Sequence, residues 1–403
     1  MRAGDRGAAN AASRAQRQLR VSSLPPYARR IARIRSSFAE AGIEALLVTH
    51  PANLRYLTGL DATMGMLLVE ATACTLIVDG RYLTAARGCV GRAGELRQTT
   101  ITPVEGSYEG TLAAVLRRTG RGGRVGVEST AMTLAAFRHL DRALESVRSS
   151  GAAVELVPVE RVVEAARVVK DSEEIETLRN AAVRLSAVAR EAVALARAGR
   201  TEREVAMDID AAIRGGGFTK TAFDTIVASG PNSALPHARP GDRMLGPGDG
   251  VVLDFGGVYD GYCVDLTRTV QVAPASAAFR RLFDAVSEAH AAAIAAVRPG
   301  VLGSEVDSAA RDALARHGLA DAFVHGTGHG LGLEVHEEPR ISKAGTAHPD
   351  EPLKPGMVFT IEPGVYVEGF GGVRIEDDVL VSEQGCEVLT DVPVDPAPFL
   401  AGA

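Results

Sequence analysis

One twenty-residue segment constrains this chain more than any other: Val251-Val-Leu-Asp-Phe-Gly-Gly-Val-Tyr-Asp-Gly-Tyr-Cys-Val-Asp-Leu-Thr-Arg-Thr-Val270. Asp260-Gly261 between two apolar runs is a strong hairpin signal, since a two-residue turn of this kind needs positive φ at both positions. Pairing across that turn sets Asp254 opposite Thr267 and Asp265 opposite Gly256, so the aspartates become diagonal neighbours on one face. Val251, Leu253, Val264 and Leu266 surround them with apolar side chains. Two carboxylates brought together away from water repel each other and lose hydration. A bound cation is the simplest compensation; two solvated aspartates on an exposed hairpin is the alternative.

A similar pattern recurs in Val358-Phe-Thr-Ile-Glu-Pro-Gly-Val-Tyr-Val-Glu-Gly-Phe-Gly-Gly-Val-Arg-Ile-Glu376. A reversal centred on Gly369 places Glu362 opposite Glu376, with Arg374 on the face of Glu376. A carboxylate–arginine surface network is the competing reading. Between the two patterns lies His325-Gly-Thr-Gly-His-Gly-Leu-Gly332, with His336 close behind, so three of the nine histidines fall within 12 residues. Neither Lys-Ser/Thr nor a strand-to-helix GxGxxG accompanies these glycines, which argues against a phosphate loop. They fit backbone passing close to a site into which His325 and His329 point. Four carboxylates and an imidazole form an oxygen-rich set suited to two divalent ions, with manganese favoured and cobalt or zinc as alternatives.

Charge and patterning narrow the rest. A formal net charge of −6 leaves no basic footprint for nucleic acid. No apolar run approaches the roughly 20 residues of a membrane span. Residues 1–26 are rich in Arg, Ala and Ser without an apolar core, and read as a disordered tail rather than a signal peptide. The four cysteines form no CxxC pair, and a reducing cytoplasm is expected. Helical stretches at Tyr27–Ala41, Tyr108–Arg118 and Met132–Val147 alternate with strands at 43–49, 66–68, 75–78 and 124–128, which predicts an α/β domain over 27–165 with a partly parallel sheet. Asp171 and Glu174 form a capping box that opens a long helix running to Ala198 in a second domain, 166–403. An internal repeat at an offset of 101 residues aligns Gly199, Glu204, Val205, Ala212 and Gly217 with Gly300, Glu305, Val306, Ala313 and Gly318. Thr201 with Glu204 and Ser304 with Asp307 are the expected helix caps. The repeat implies a pseudo-symmetric domain with a site between its halves.

These residues resemble the pita-bread metallopeptidases, a group that includes aminopeptidase P, prolidase, methionine aminopeptidase and the metal-free creatinase. The matching positions are Asp254 and Asp265, His329 in Thr-Gly-His-Gly, Glu362 in Ile-Glu-Pro-Gly and Glu376 in Val-Arg-Ile-Glu-Asp. The segment His50-Pro-Ala-Asn-Leu-Arg-Tyr-Leu-Thr-Gly59 looks like the creatinase/prolidase-type N-terminal domain, which methionine aminopeptidases lack. The resemblance implies an N-terminal α/β domain followed by a pita-bread α+β catalytic domain. Asp254 would chelate one ion, His329 with Glu362 the other, and Asp265 with Glu376 would bridge. His237 and His325 would line the substrate pocket, and His336 would bond the scissile carbonyl. Arg374 would secure Glu376 or the peptide backbone, and Glu362 could also shuttle a proton.

The implied activity is a Xaa-Pro aminopeptidase that cuts before proline with a metal-bridging hydroxide. The runner-up is a Xaa-Pro dipeptidase. Short peptides with proline in second position are the expected partners, with no nucleic acid, no membrane and a homodimeric assembly. A ligand-losing binding protein on this fold is disfavoured because all five positions are filled. A C–N or C–S lyase is disfavoured by the retained Thr-Gly-His-Gly, His336 and Arg374.

Overall fold

A computed structural model describes residues 24–91, 96, 98–120, 123–274, 276–345 and 349–394. The expected tail, 1–26, lies outside the described residues as far as position 23. The chain divides into two units, Met1–Arg167 and Val168–Ala403.

In the first unit β1 (Ala45–Val48), β2 (Met66–Glu70), β3 (Cys74–Val78), β4 (Thr99–Pro103), β5 (Gly123–Glu128) and β6 (Val154–Val159) form one sheet in the order β4-β3-β2-β1-β5-β6. The β1–β2 and β2–β3 pairs are antiparallel and the others parallel, as the alternating pattern predicts. The helices Tyr108–Thr119 and Leu134–Arg148 each start on a hydroxyl cap, Ser107 and Thr133. They bury Leu112, Leu116, Leu140 and Leu144 with Leu47, Leu68 and Val125 from the strands. The first helix is interrupted where one was expected over Tyr27–Ala41. It runs Pro26–Ser36 and then Phe38–Ala41, because the hydroxyl and the N–H of Ser37 both bond back to the Ile34 carbonyl.

In the second unit β7 (Lys220–Thr221), β8 (Ile226–Ser229), β9 (Gly250–Tyr259) and β10 (Tyr262–Gln271) form one antiparallel sheet. A second sheet joins β11 (Gly328–Gly330), β12 (Glu337–Ile341), β13 (Val358–Ile361), β16 (Asp377–Ser382) and β17 (Gly385–Val388), while β14 (Gly364–Val367) and β15 (Gly371–Arg374) form a separate ribbon. Asp260 and Gly261 both take positive φ, 44° and 79°, and β9–β10 pairs Asp254 with Thr267 and Asp265 with Gly256. The turn therefore dictates the register. Alternation does the rest: Leu253, Phe255, Val264 and Leu266 pack with Leu178, Leu185 and Ile209 of the helices Ser172–Ala192 and Glu202–Gly215. In the other half Phe359 and Ile361 pack with Phe283, Val286 and Val306 of the helices Ala277–Ala296 and Gly303–Arg316.

The repeat is visible in the backbone, since the helices Glu202–Gly215 and Gly303–Arg316 begin at positions 101 residues apart. Each is preceded by a one-residue β-bridge, Thr201 to Met244 and Leu302 to Pro352. The Asp171–Glu174 and Thr201–Glu204 capping boxes are both formed. The second helix is capped differently from the expected Ser304–Asp307 pair: the Glu305 carboxylate accepts the Leu302 N–H at 2.8 Å. Asp307 is instead buried and bonded to Arg311 and Thr327. The long helix stops at Ala192, short of Ala198, and gives way to a 3-10 turn over Val193–Leu195, where Arg197 Nε takes the Ala194 carbonyl at 2.7 Å. Among the described residues no helix is long and apolar enough to cross a membrane.

The glycines around His329 serve close approach. A Cβ at Gly328 would fall far inside van der Waals contact with the Thr360 carbonyl oxygen, and one at Gly330 would strike the Glu338 carbonyl. Both obstacles are backbone and cannot swing aside. Gly328→Ala should therefore cost at least the roughly 1–3 kcal/mol typical of core overpacking. A urea-unfolding midpoint equal to wild type would show that β11 and β13 are not held this closely.

Candidate metal centre

The acidic face of the β9–β10 hairpin turns away from the helices. Asp254 and Asp265 stand on it at 9% and 5% exposure, because their apolar neighbours occupy the opposite face. The second pair of acids comes from the other sheet. Glu362 follows the last residue of β13, and its N–H donates to the Thr327 carbonyl at 2.7 Å. Glu376 lies between β15 and β16, donating its N–H to the Thr267 carbonyl at 3.1 Å and accepting the Thr267 hydroxyl at 2.6 Å. The register agrees with the reversal at Gly369: Gly364 pairs with Arg374 in one ribbon and Ile361 with Asp377 in the other, which leaves Glu362 and Glu376 facing each other between them.

His329 projects from β11. Its N–H donates to Thr360 Oγ1 at 3.1 Å, and its Nδ1 lies 3.1 Å from the Gly330 carbonyl. A carbonyl only accepts, so Nδ1 carries the proton and Nε2 presents its lone pair. That Nε2 lies 3.4 Å from Glu362 Oε1. Ligand atoms of Asp265, His329 and Glu376 all lie within 4.8 Å of one another. Asp254 is held by Arg374, whose Nη2 reaches its carboxylate at 2.5 Å. All five side chains line one open pocket of about 550 Å³.

The electrostatics of these acids demand a countercharge. Burial, then the neighbouring Glu376 and Asp254, holds the Asp265 carboxyl well above the ordinary range. Burial, then Glu362 and Asp254, does the same to Glu376. Glu362 is pushed up to about 7, mainly by burial. Burial also lowers His329 to about 3, with His336 adding to the effect, so the imidazole is neutral at physiological pH. Asp265 Oδ1 is buried and has no hydrogen-bond partner. An orphaned carboxylate oxygen, neutral imidazole nitrogen and clustered acids together fit divalent metal ions, with Asp265, His329 and Glu376 closest to one common position.

The remaining predicted residues form the walls. His237, His325, His336 and Arg374 all line the same pocket. The His336 ring lies 4.2 Å from that of His329, and burial, then Arg340 and His237, lowers its pKa. His325 bonds the Gly326 carbonyl through Nδ1 and Tyr366 Oη through Nε2, both at 2.8 Å. Since Nδ1 must donate, Tyr366 donates to Nε2 and in turn accepts from Arg374 Nη1 at 2.8 Å. Both nitrogens of His325 are thus engaged, and burial lowers it to about 4. Of the two partners expected for Arg374, Glu376 accepts no direct bond from it, and its Nη1 also donates to the Pro236 backbone carbonyl at 3.2 Å. Its Nη2 takes Asp254, while its Nε donates to Thr267 Oγ1 at 3.3 Å, so it reaches Glu376 only through that hydroxyl.

Four participants escaped the sequence reading: Thr267, Thr360, Tyr366 and Arg340. The first three stand at even spacing from an acid, Thr267 from Asp265, Thr360 and Tyr366 from Glu362, and period-2 alternation places them on the acids' face. Arg340 lies directly across β11–β12 from His329 and lines the pocket.

Comparison with known proteins places both parts of the chain in known families. Residues 176–383 match metallopeptidase family M24 and residues 30–169 match the creatinase/prolidase N-terminal domain. A Xaa-Pro dipeptidase of Pyrococcus furiosus is 34% identical over 352 residues, spanning 87% of this chain and 94% of its own. The solved Xaa-Pro dipeptidase from Bacillus anthracis superposes with a TM-score of 0.83 at 34% identity, covering 90% of this chain and 97% of its own. The X-Pro aminopeptidase of Thermotoga maritima gives a TM-score of 0.79 at 34% identity, covering 89% and 99%. With five ligand-type side chains in one pocket and both domains matched, the chain belongs to metallopeptidase family M24, carried behind a creatinase/prolidase-type N-terminal domain.

Proposed function

We propose that this enzyme is a two-metal Xaa-Pro dipeptidase. The reading rests above all on one observation: Arg340 enters the same pocket as the five ligand-type residues and His336. Among the described residues its guanidinium takes part in no ion pair. A dipeptide presents a free carboxylate one residue beyond the scissile bond, and a guanidinium fork binds a carboxylate in two-point fashion. An aminopeptidase acting on longer peptides has no charge to place there. The relatives bearing the name Xaa-Pro dipeptidase support the dipeptidase reading over the aminopeptidase one.

In this assignment Asp254, Asp265, His329, Glu362 and Glu376 would hold the two ions, with Asp265, His329 and Glu376 nearest to one common position. Manganese is the expected metal, with cobalt or zinc as alternatives. When bound, the ions supply Lewis acidity for the peptide carbonyl and make a water acidic enough to attack at neutral pH. The chain's own residues do the rest. Glu362, poised near neutrality by burial, takes a proton from water and returns it to the departing proline nitrogen. His336 donates a hydrogen bond to the carbonyl oxygen as negative charge gathers there. The Arg374–Tyr366–His325 chain fixes Asp254 and the rim of the pocket. The proline ring fits beside His237 and His325, and the extended bias that proline imposes on its predecessor favours a preformed site.

Four outcomes are expected. Chelation should abolish hydrolysis, and manganese or cobalt should restore it better than magnesium, because an imidazole ligand favours transition metals. Asp265→Ala and Glu376→Ala should lose bound metal together with activity; retained metal in either would remove that residue from the ligand set. Gly-Pro should be cleaved faster than Ala-Pro-Ala, and Arg340→Met should raise KM for Gly-Pro by about tenfold, the effect of one lost charge-assisted bond. Equal use of the two peptides by wild type, or an unchanged KM in the variant, would return the choice to aminopeptidase. His336→Ala should keep its metal while kcat falls by about 10²–10³, as for loss of one transition-state donor. Loss of metal in that variant would make His336 a ligand or its support, and full activity would make it a bystander.

A further inference from the structure

Glu202 is the first residue of the helix Glu202–Gly215, a position where an acid is ordinarily solvated beside the helix dipole. It is 1% exposed instead. Its Oε1 accepts the Ser229 N–H at 2.8 Å, the Ser229 hydroxyl at 2.7 Å and Asn232 Nδ2 at 3.1 Å. Its Oε2 accepts Asn232 Nδ2 at 3.2 Å and the Gly241 N–H at 3.1 Å. The backbone of the same helix start adds two bonds of 3.0 Å, from the Glu202 N–H to the Arg243 carbonyl and from the Arg203 N–H to the Gly241 carbonyl.

These partners define the two ends of one loop. Ser229 closes β8, Gly241 precedes the return to β9, and apart from a 3-10 turn at Gly230–Ala234 the intervening chain has no regular structure. Its far side, from Pro236 through His237 to Pro240, forms one wall of the catalytic pocket. A loop without a ladder of its own is located by its anchors, and hydrogen bonds to a buried carboxylate are the strong, charge-assisted kind. One carboxylate therefore draws together both ends of the segment that faces the substrate.

We propose that Glu202 is a positioning residue for substrate binding: by clamping Ser229, Asn232 and Gly241 it sets the wall that carries His237, without touching substrate or metal. This rests on reading the pocket as a dipeptide site, but its test does not depend on that reading alone. Glu202→Gln keeps the size and replaces one acceptor oxygen with an NH₂ group that faces donors. Hydrogen exchange on the metal-free protein should show faster exchange confined to residues 229–241. In manganese-loaded enzyme the KM for Gly-Pro should rise about tenfold, the equivalent of one lost bond to a charged group. Metal content should be unchanged and kcat should stay within about threefold, because ground-state binding is what suffers. In a His237→Ala background E202Q should add nothing further to KM, since both changes remove the same wall.

Unchanged loop exchange, or KM effects that multiply in the double variant, would overturn the proposal. A global rather than local rise in exchange would do the same, by making Glu202 a stability residue. If E202Q does not fold, Asn232→Ala removes one clamped donor and leaves the carboxylate intact. It should shift loop exchange and KM in the same direction by less, and no shift would again overturn the idea. Faster exchange in the loop with no cleavage of Gly-Pro by wild type would sustain the clamp and sink the dipeptide assignment instead.

Discussion

The second unit is organised around the cost of gathering like charges where water is scarce. Asp254, Asp265, Glu362 and Glu376 line one pocket, and each pair is delivered by strands whose other faces are committed to the core. Burial and mutual repulsion hold Asp265 and Glu376 far from their ordinary proton affinity, so without countercharge the arrangement opposes folding. Arg374 neutralises part of it at Asp254. The rest is a standing demand for divalent cations, and it makes metal affinity and fold stability two readings of one electrostatic quantity.

Duplication supplies a way to assemble such a centre. Two helices that start 101 residues apart back two antiparallel sheets, and each sheet contributes a pair of acids. The halves are not equivalent. The first gives one aspartate on each of two continuous ten-residue hairpin strands. The second gives glutamates at breaks in its strands, one just past β13 and one between β15 and β16. Glutamate is one methylene longer, so acids from interrupted strands still reach the common pocket. Thr267 ties the halves together, offering its carbonyl to the Glu376 N–H and its hydroxyl to the Glu376 carboxylate.

Around the acids, burial and then nearby cations lower the proton affinity of His325, His329 and His336. Neutral imidazole is what a metal ligand or a hydrogen-bond donor to a developing oxyanion requires. His325 and His329 are oriented by backbone carbonyls at Gly326 and Gly330, which assign the proton to Nδ1 and direct Nε2 toward Tyr366 in one case and the acids in the other.

The sequence by itself determined what local rules control. A two-residue Asp-Gly turn and period-2 alternation were enough to place Asp254 and Asp265 on one face, and a reversal at Gly369 was enough to oppose Glu362 and Glu376. The alternating glycines announced close backbone approach, which Thr360 and Glu338 supply. Tertiary structure decided what depends on partners that the local pattern does not bring together. Arg374 chose Asp254, 120 positions away, over the nearer Glu376, because β15 passes beside β9 and Thr267 already holds Glu376. Glu202 meets its partners only because the chain between Ser229 and Gly241 folds over it. Asp307 read as a helix cap, and burial against Thr327 and Arg311 gave it another task. Local pattern fixes which face a side chain takes; only packing fixes which distant partner meets it there, because that choice is made by the shape and charge of the whole enclosed site.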